Sequence, residues 1–393
     1  MAGITTVRSM ARPACGLLLL AAALACLPAA AQPAPDSFAG IIAPALEKRH
    51  LAGAVALVTD RDAPLFVEAA GRADIAADRP MAADSLFWIA SMTKPMTAAA
   101  VMILVDEGKL SLDDPVAKHL PEFRDLWVVA EKTPERMVLE RPVRPITIRD
   151  ILSHTSGLPF KSAIEEPTLD LAPLSLGARS YGSLPLVFQP GTGYLYSNAG
   201  INTAGRIIEI ASGVPYERFM EERLFRPLGM KDTTFRPTAA QLERLATAYR
   251  ANKDATDLEA TRVAQLQYPL DAAARQPMPG GGLFSTADDC GRFCRMVLGR
   301  GAVGGSRVLS EAAVAELTRR QTPPGLKESY GLGFQVHADG ACGHGGAYAT
   351  NMTIDPARGV AVVWLVQNAG SPPEWKACEG QVRAWAVKRF GKP

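Results

Sequence analysis

Apolar and polar positions follow two different periods along this chain, and the change of period divides it. Residues 38–50 place apolar side chains at helical spacing. Residues 54–59 and 65–70 are short apolar runs. The polar link 60–64, Asp-Arg-Asp-Ala-Pro, predicts a hairpin between them. Residues 96–107 are apolar nearly all round, which predicts a helix in the core rather than on the surface, ended by Gly108. From Leu112 to about Pro279 prolines and charges become frequent, and the periodic segments are helical. They cover 148–154, capped by Thr147, then 199–211 and 216–225. Residues 251–274 are mostly polar with a weak helical signal. After Gly280-Gly281-Gly282 the pattern predicts helices over 287–298 and 310–320. Strands follow over 330–336, 347–354 and 360–367, and a closing helix over 372–390.

Strands at both ends with helices between them predict an α+β fold. One antiparallel sheet, formed by N- and C-terminal segments and flanked by helices, carries a large mostly helical insertion. A single domain over 32–393 is expected, with the sheet region at 32–111 and 280–393 and the helical region at 112–279. Residues 1–31 are different. Arg8 and Arg12 precede an apolar run over 16–27, and Ala29-Ala30-Ala31-Gln32 follows. That pattern predicts a signal peptide cleaved after Ala31 and a periplasmic or secreted protein. The run is short for a membrane span, and no later stretch is apolar enough for one. Cys26, after Ala23-Leu24-Ala25, offers a weaker lipoprotein alternative.

Composition narrows the partners. The chain has 393 residues, 48% hydrophobic and 21% charged, with a net charge of +2. That is ordinary globular composition, and the lack of a basic tract argues against nucleic acid. Of six cysteines, four would survive cleavage. Cys290 and Cys294 are one helical turn apart and read as packed thiols. Cys342 and Cys378 are the pair that a closing helix, folded back on the sheet, would bring together.

Three short stretches carry chemistry. Ser91-Met92-Thr93-Lys94 opens the 96–107 helix, so a hydroxyl and an amine share one face, one turn apart. A serine is a poor nucleophile until a base takes its proton, and a lysine serves only if its pKa is lowered. Tyr196-Ser197-Asn198 precedes the 199–211 helix. Its phenol could act as a base if nearby cations lower its pKa, and its amide could orient a substrate. Gly343-His344-Gly345-Gly346-Ala347 opens the 347–354 strand, where a substrate could pair and a free N–H could meet an oxyanion. His344 would stand beside it as a donor. His154 is expected to be structural, bonded within its own turn. There is no Gly-x-Ser-x-Gly elbow and no His-Glu-x-x-His, and the five histidines lack metal spacing. Neither metal nor cofactor is expected.

Ser-x-x-Lys, Tyr-x-Asn and His-Gly-Gly in this order resemble the penicillin-recognising serine hydrolases, within them the class C β-lactamase group. Leu152-Ser153-His154-Thr155-Ser156-Gly157-Leu158, Gly280-Gly281-Gly282-Leu283-Phe284 and Tyr330-Gly331-Leu332-Gly333-Phe334 extend the resemblance over nearly the whole chain. It implies Ser91 as nucleophile and Lys94 and Tyr196 as proton carriers. It also implies Asn198, His344, Gly345 and Gly346 in substrate binding, and the N–H groups of Ser91 and Ala347 as an oxyanion hole. The β-lactamases of this group usually carry Lys-Thr-Gly where this chain has His344-Gly345-Gly346. The change removes a fixed charge and a hydroxyl, and it weighs against efficient β-lactam turnover. The expected substrate is therefore an ester or a D-amino acid peptide. The alternatives are a class C-type β-lactamase and a non-catalytic penicillin-binding or self-assembling member.

Overall fold

The structure, a computed structural model, describes residues 36–370 and 373–393, with side chains omitted at 373–376. The expected leader, its cleavage point and Cys26 lie outside the described residues.

Helix α1 (Phe38–Glu47) starts at Ser37, whose side chain accepts the Gly40 N–H. Strands β1 (Gly53–Thr59) and β2 (Pro64–Asp74) form the expected hairpin, and β3 (Arg79–Pro80) adds to its edge. Helix α2 (Thr93–Asp106) follows. In the insertion, β4 (Val128–Lys132) and β5 (Met137–Glu140) pair as a hairpin. Helices α3 (Ile148–Ser153), α4 (Leu174–Gly182) and α5 (Asn198–Ser212) come next. Strands β6 (Ala248–Ala251) and β7 (Leu258–Thr261) form a second hairpin. Helix α6 (Ala287–Leu298) returns the chain to the sheet. Strands β8 (Gln335–Val336), β9 (Cys342–Gly345), β10 (Asn351–Asp355) and β11 (Val360–Leu365) lead to α7 (Pro373–Phe390).

The main sheet has seven antiparallel strands in the order β8-β9-β10-β11-β1-β2-β3. Both chain ends therefore build it, as expected. Strand β1 is central, with Val55 opposite Leu365 on one side and Ala69 on the other. All seven of its residues are buried, because the sheet is covered on both faces. Ala54, Ala56, Val58, Val362 and Trp364 pack with Phe38, Ile42, Val382 and Trp385 of α1 and α7. Val55, Leu57, Val363 and Leu365 point the other way, into the core shared with α2, α6 and the helical region. A strand buried on two sides reads as a continuous apolar run rather than an alternation.

Several expectations need correcting. Helices outnumber strands in the insertion, but it also holds the two hairpins, and much of it is irregular. Residues 251–274 form no helix. Strand β7 lies there instead, paired with β6, which is itself fixed by pairing Tyr249 and Arg250 with Asn368 and Ala369, a contact no local pattern contains. The 330–336 strand shrinks to Gln335–Val336, since the chain doubles back in a Tyr330–Gln335 bridge. Residues 347–350 are a turn, with Ala349 at φ 65° and the Gly346 N–H bonded to the Thr350 carbonyl. His-Gly-Gly thus closes β9 instead of opening the next strand. Cys342 and Cys378 are both unpaired thiols. Cys342 packs on the α6 face and Cys378 on the α7 face, so the sheet stands between them.

Candidate active site

Ser91 lies in a single 3-10 turn, Ala90–Met92, at the head of α2. Ala90 holds φ 46°, a left-handed conformation that costs a non-glycine residue on the order of 1–3 kcal/mol. The surroundings enforce it. Thr93 Oγ1 donates to the Ala90 carbonyl at 2.6 Å and accepts the Leu283 N–H at 3.2 Å, while the Ile89 N–H bonds the Leu283 carbonyl. Strain of this kind keeps the serine hydroxyl lifted towards a cleft while the helix behind it is packed solid.

Lys94 is fully buried on the first turn of α2. Its Nζ lies 3.1 Å from Ser91 Oγ, 2.8 Å from Asn198 Oδ1 and 2.5 Å from the Gly280 carbonyl oxygen, and 4.6 Å from the centre of the Tyr196 ring. Among the described residues, no carboxylate bonds it. Burial drives its pKa well below the usual lysine range. The partner set suits a neutral amine. Two N–H groups donate to two carbonyl oxygens that can only accept, and the lone pair is left for the one partner that can donate, the Ser91 hydroxyl.

Asn198 is free for this work because Ser197, not Asn198, caps α5. Ser197 Oγ accepts the Gly200 N–H at 3.0 Å and donates to the Pro159 carbonyl at 2.7 Å. Gly280 lets the amide approach, since a Cβ there would lie 2.9 Å from Asn198 Oδ1. Tyr196 precedes the cap, and its phenol stands close enough to the Ser91 hydroxyl to feel it. Burial raises its pKa, against the opposing pull of the Ser91 hydroxyl. The expectation of a cation-stabilised phenolate is not met, and Tyr196 stands as a neutral phenol. Behind it, His154 is buried in a left-handed turn at φ 63°, its ring 4.6 Å from that of Tyr196. Its Nδ1 accepts the Ser197 N–H at 3.2 Å, so it braces the Tyr-x-Asn stretch rather than its own turn.

His344 departs most from expectation. It is buried, with Nδ1 2.6 Å from the Gly345 carbonyl and Nε2 2.9 Å from the Tyr330 hydroxyl. The carbonyl can only accept, so Nδ1 carries the proton and Nε2 accepts from Tyr330. Burial, then the nearby Lys94, push its pKa down to about 3. The ring borders the cleft, but as a neutral group with both nitrogens engaged by the fold. Gly345 and Ala347 line the cleft. Gly346 packs beneath, where a Cβ would lie 2.6 Å from the Ile89 carbonyl oxygen. Among the described residues, the N–H groups of Ser91 and Ala347 bond to no backbone carbonyl, so both remain available to an oxyanion.

These residues meet in a cleft of about 340 Å³, also lined by Trp88, Phe160, Gln265, Met278 and Gln335. Among the described residues, no Lys, Arg, Asp or Glu lines it. A larger concavity of about 1070 Å³ beside Asp60 and Arg300 contains none of the motif residues. No cluster of side chains that could hold a metal ion occurs among the described residues. The arrangement supplies a hydroxyl, a neutral amine, a phenol and two free N–H groups, which is the equipment of acyl transfer. The sequence reading missed the Gly280 carbonyl and the Tyr330 hydroxyl, although both stretches were visible as motifs. The wall residues Phe160, Gln265 and Gln335 had no local signal.

A family model described as Beta-lactamase matches residues 38–384. Protein Rv1367c of Mycobacterium tuberculosis is 36% identical over 350 residues, covering 81% of this chain and 86% of that protein. Esterase EstB of Burkholderia gladioli is 32% identical over 368 residues, covering 83% and 88%. Among solved structures, EstCE1, a hydrolase with promiscuous acyltransferase activity, matches with TM-score 0.74 and 25% identity over 89% of this chain and 97% of that one.

Proposed function

The chain belongs to the beta-lactamase family of serine hydrolases, and from that premise we propose that it cleaves small, uncharged carboxylic esters through an acyl-enzyme on Ser91. Lys94, neutral, takes the Ser91 proton as Oγ attacks the ester carbonyl. The N–H groups of Ser91 and Ala347 hold the oxyanion. The Tyr196 phenol, beside Ser91, gives its proton to the departing alkoxide and regains one from Lys94. Water then enters, the same two groups run the transfers in reverse, and the acid leaves. Asn198 holds Lys94 through Oδ1 and keeps its N–H groups for the acyl portion.

The observation that carries the choice of substrate is the neutral His344. Its ring nitrogens are bonded to Gly345 and Tyr330, and among the described residues no cation lines the cleft. A β-lactam carboxylate or a peptide C-terminus would be desolvated there with no charged partner, which is costly. An uncharged ester avoids that penalty. The similarity to EstB supports the same choice.

The test compares kcat/KM for p-nitrophenyl butyrate, a chromogenic cephalosporin and a D-alanyl-D-alanine peptide. The ester should lead by roughly ten- to a hundredfold, the worth of one charge-assisted contact. Ser91→Ala should abolish turnover and labelling by a fluorophosphonate. Equal or better turnover of the cephalosporin would remove the ester reading, and activity surviving Ser91→Ala would remove the acyl-enzyme. Export remains part of the proposal, supported by Arg8, Arg12 and Ala29-Ala30-Ala31. An intact mass beginning at Gln32 is the expected result, and a full-length chain in the cytosol would exclude it.

A further inference from the structure

One buried acid stands outside the chemistry so far. Glu165 ends a short 3-10 turn, Ala163–Glu165, and is 2% exposed. Its Oε2 accepts the Ser162 N–H at 2.8 Å. Its Oε1 accepts the Tyr181 hydroxyl of α4 at 2.7 Å and an N–H of Asn202 of α5 at 3.3 Å. On its other side, Asn202 accepts the Gly280 N–H through Oδ1 at 2.9 Å. The carbonyl of that same peptide, Pro279, accepts from Thr97 Oγ1 at 2.9 Å, so the 279–280 peptide is clamped at both ends. The next carbonyl, Gly280, is the one 2.5 Å from Lys94 Nζ. A continuous chain therefore links Glu165 to the reactive amine: carboxylate, Asn202, Gly280, Lys94.

We propose that Glu165 is a positioning residue for Lys94: through Asn202 its carboxylate fixes the Gly280 carbonyl against the amine, and its protonation loosens that hold. This rests on Lys94 being the base. The Ser162 N–H and the Asn202 amide can only donate to Glu165, and with the Tyr181 hydroxyl donating as well the carboxylate accepts all three bonds. A protonated Glu165 must either reverse the Tyr181 bond or turn a donor away. Burial raises the Glu165 pKa, while the bonds from Ser162 and Tyr181 and the charge of Lys161 lower it. Lys161 is itself paired with Glu166 at the surface. Tyr181 and Lys161 are thus the titratable and charged groups that bear on Glu165.

The acid limb of kcat/KM for p-nitrophenyl butyrate should then report Glu165 as well as Lys94. Glu165→Gln should lower kcat by about ten- to a hundredfold, as small misplacements of a reactive group do, with KM within about twofold. Lys161→Gln lies on the surface and leaves the fold and the plateau rate alone. Removing its positive charge favours the neutral acid, so the acid limb should move to higher pH. In the double variant with Glu165→Gln that movement should vanish. Tyr181→Phe, which removes one donor, should move the limb the same way if Glu165→Gln fails to fold. The inference falls if Lys161→Gln moves the limb equally with and without Glu165. It also falls if Glu165→Gln lowers kcat and Tm together while the pH profile keeps its shape. Ser91→Ala run in parallel keeps the outcomes apart, because loss of turnover there upholds the acyl-enzyme whatever Glu165 does.

Discussion

Lys94, Arg275 and Arg295 are the buried cations among the described residues, and the first two are treated in opposite ways. Arg275 is 2% exposed and Asp170, its partner, is fully buried, with Nε 2.8 Å from Oδ2. Its Nη1 donates to the Phe235 and Leu270 carbonyls. Lys94 is equally buried but faces three uncharged oxygens. An arginine keeps its charge in any protein environment, so burying it requires a counter-ion. A lysine denied one can give its proton up instead. The first arrangement ties the 163–173 segment to 263–276, where the Leu169 N–H also bonds the Gln265 carbonyl. The second leaves a lone pair beside a serine. The counter-ion, and not depth of burial, separates a structural cation from a reactive one.

Exchanging the properties of the two sites should break the contrast. The largest effect is expected for Lys94→Met, which should lower kcat/KM for an ester by about 10²–10⁴, the range for general-base catalysis. Its Tm should be equal or higher, because methionine avoids the desolvation an amine suffers. Lys94→Arg should fail to rescue, since a guanidinium cannot supply the lone pair. A variant with arginine and near-normal activity would refute a neutral base. Next comes Asp170→Ala, which strands the Arg275 charge and should cost about 3–5 kcal/mol in urea unfolding. The folded fraction should keep its activity, measured by active-site titration. Tyr330→Phe leaves His344 Nε2 without its donor, and should cost about 1–3 kcal/mol. Its ester kcat should change less than with Lys94→Met.

The smallest effect concerns pH. Lys94 is depressed in the folded protein, so below lysine's ordinary pKa, about 10.4, the unfolded chain binds the extra proton. Folding stability carried by this group therefore rises with pH across the window from the depressed value to about 10.4 and is flat above it. The stability difference between Lys94→Met and the parent should narrow over that window. A constant difference would mean that the lysine is protonated when buried.

Ser91 and Lys94 were legible because three-residue spacing at a helix start puts both on one face, whereas Tyr196 and Asn198 stood out only through the resemblance carried by the order of the three motifs. Sequence reasoning could not find Gly280, whose contribution is a carbonyl and has no side-chain signature. The charge of His344 was left open for a related reason. A histidine is cationic or neutral according to what surrounds it, and the deciding hydroxyl, Tyr330, lies 14 residues away in sequence. The two-faced burial of β1 and β11 was legible as continuous apolar runs. Which face Cys342 and Cys378 occupy was not, because a strand position gives parity only once its register is known. Glu165 sits in a Ser-x-x-Glu pattern that does signal a cap, but nothing local announces that the cap is buried beside the reactive lysine's support.

The middle of the sheet joins the two ends of the chain, with Val55 opposite Leu365. At the usual pace of ribosomal synthesis, about 5–20 residues per second, β11 follows β1 by roughly 15–60 s. For that time β1 has made its hairpin with β2 but has one open edge and two apolar faces, the profile of a segment that attracts other chains. A chain ended before residue 360 would already contain the serine, lysine, tyrosine and asparagine of the cleft. It would still lack the neighbour that closes β1, so a nascent chain of this protein needs protection until almost its last residue has been made.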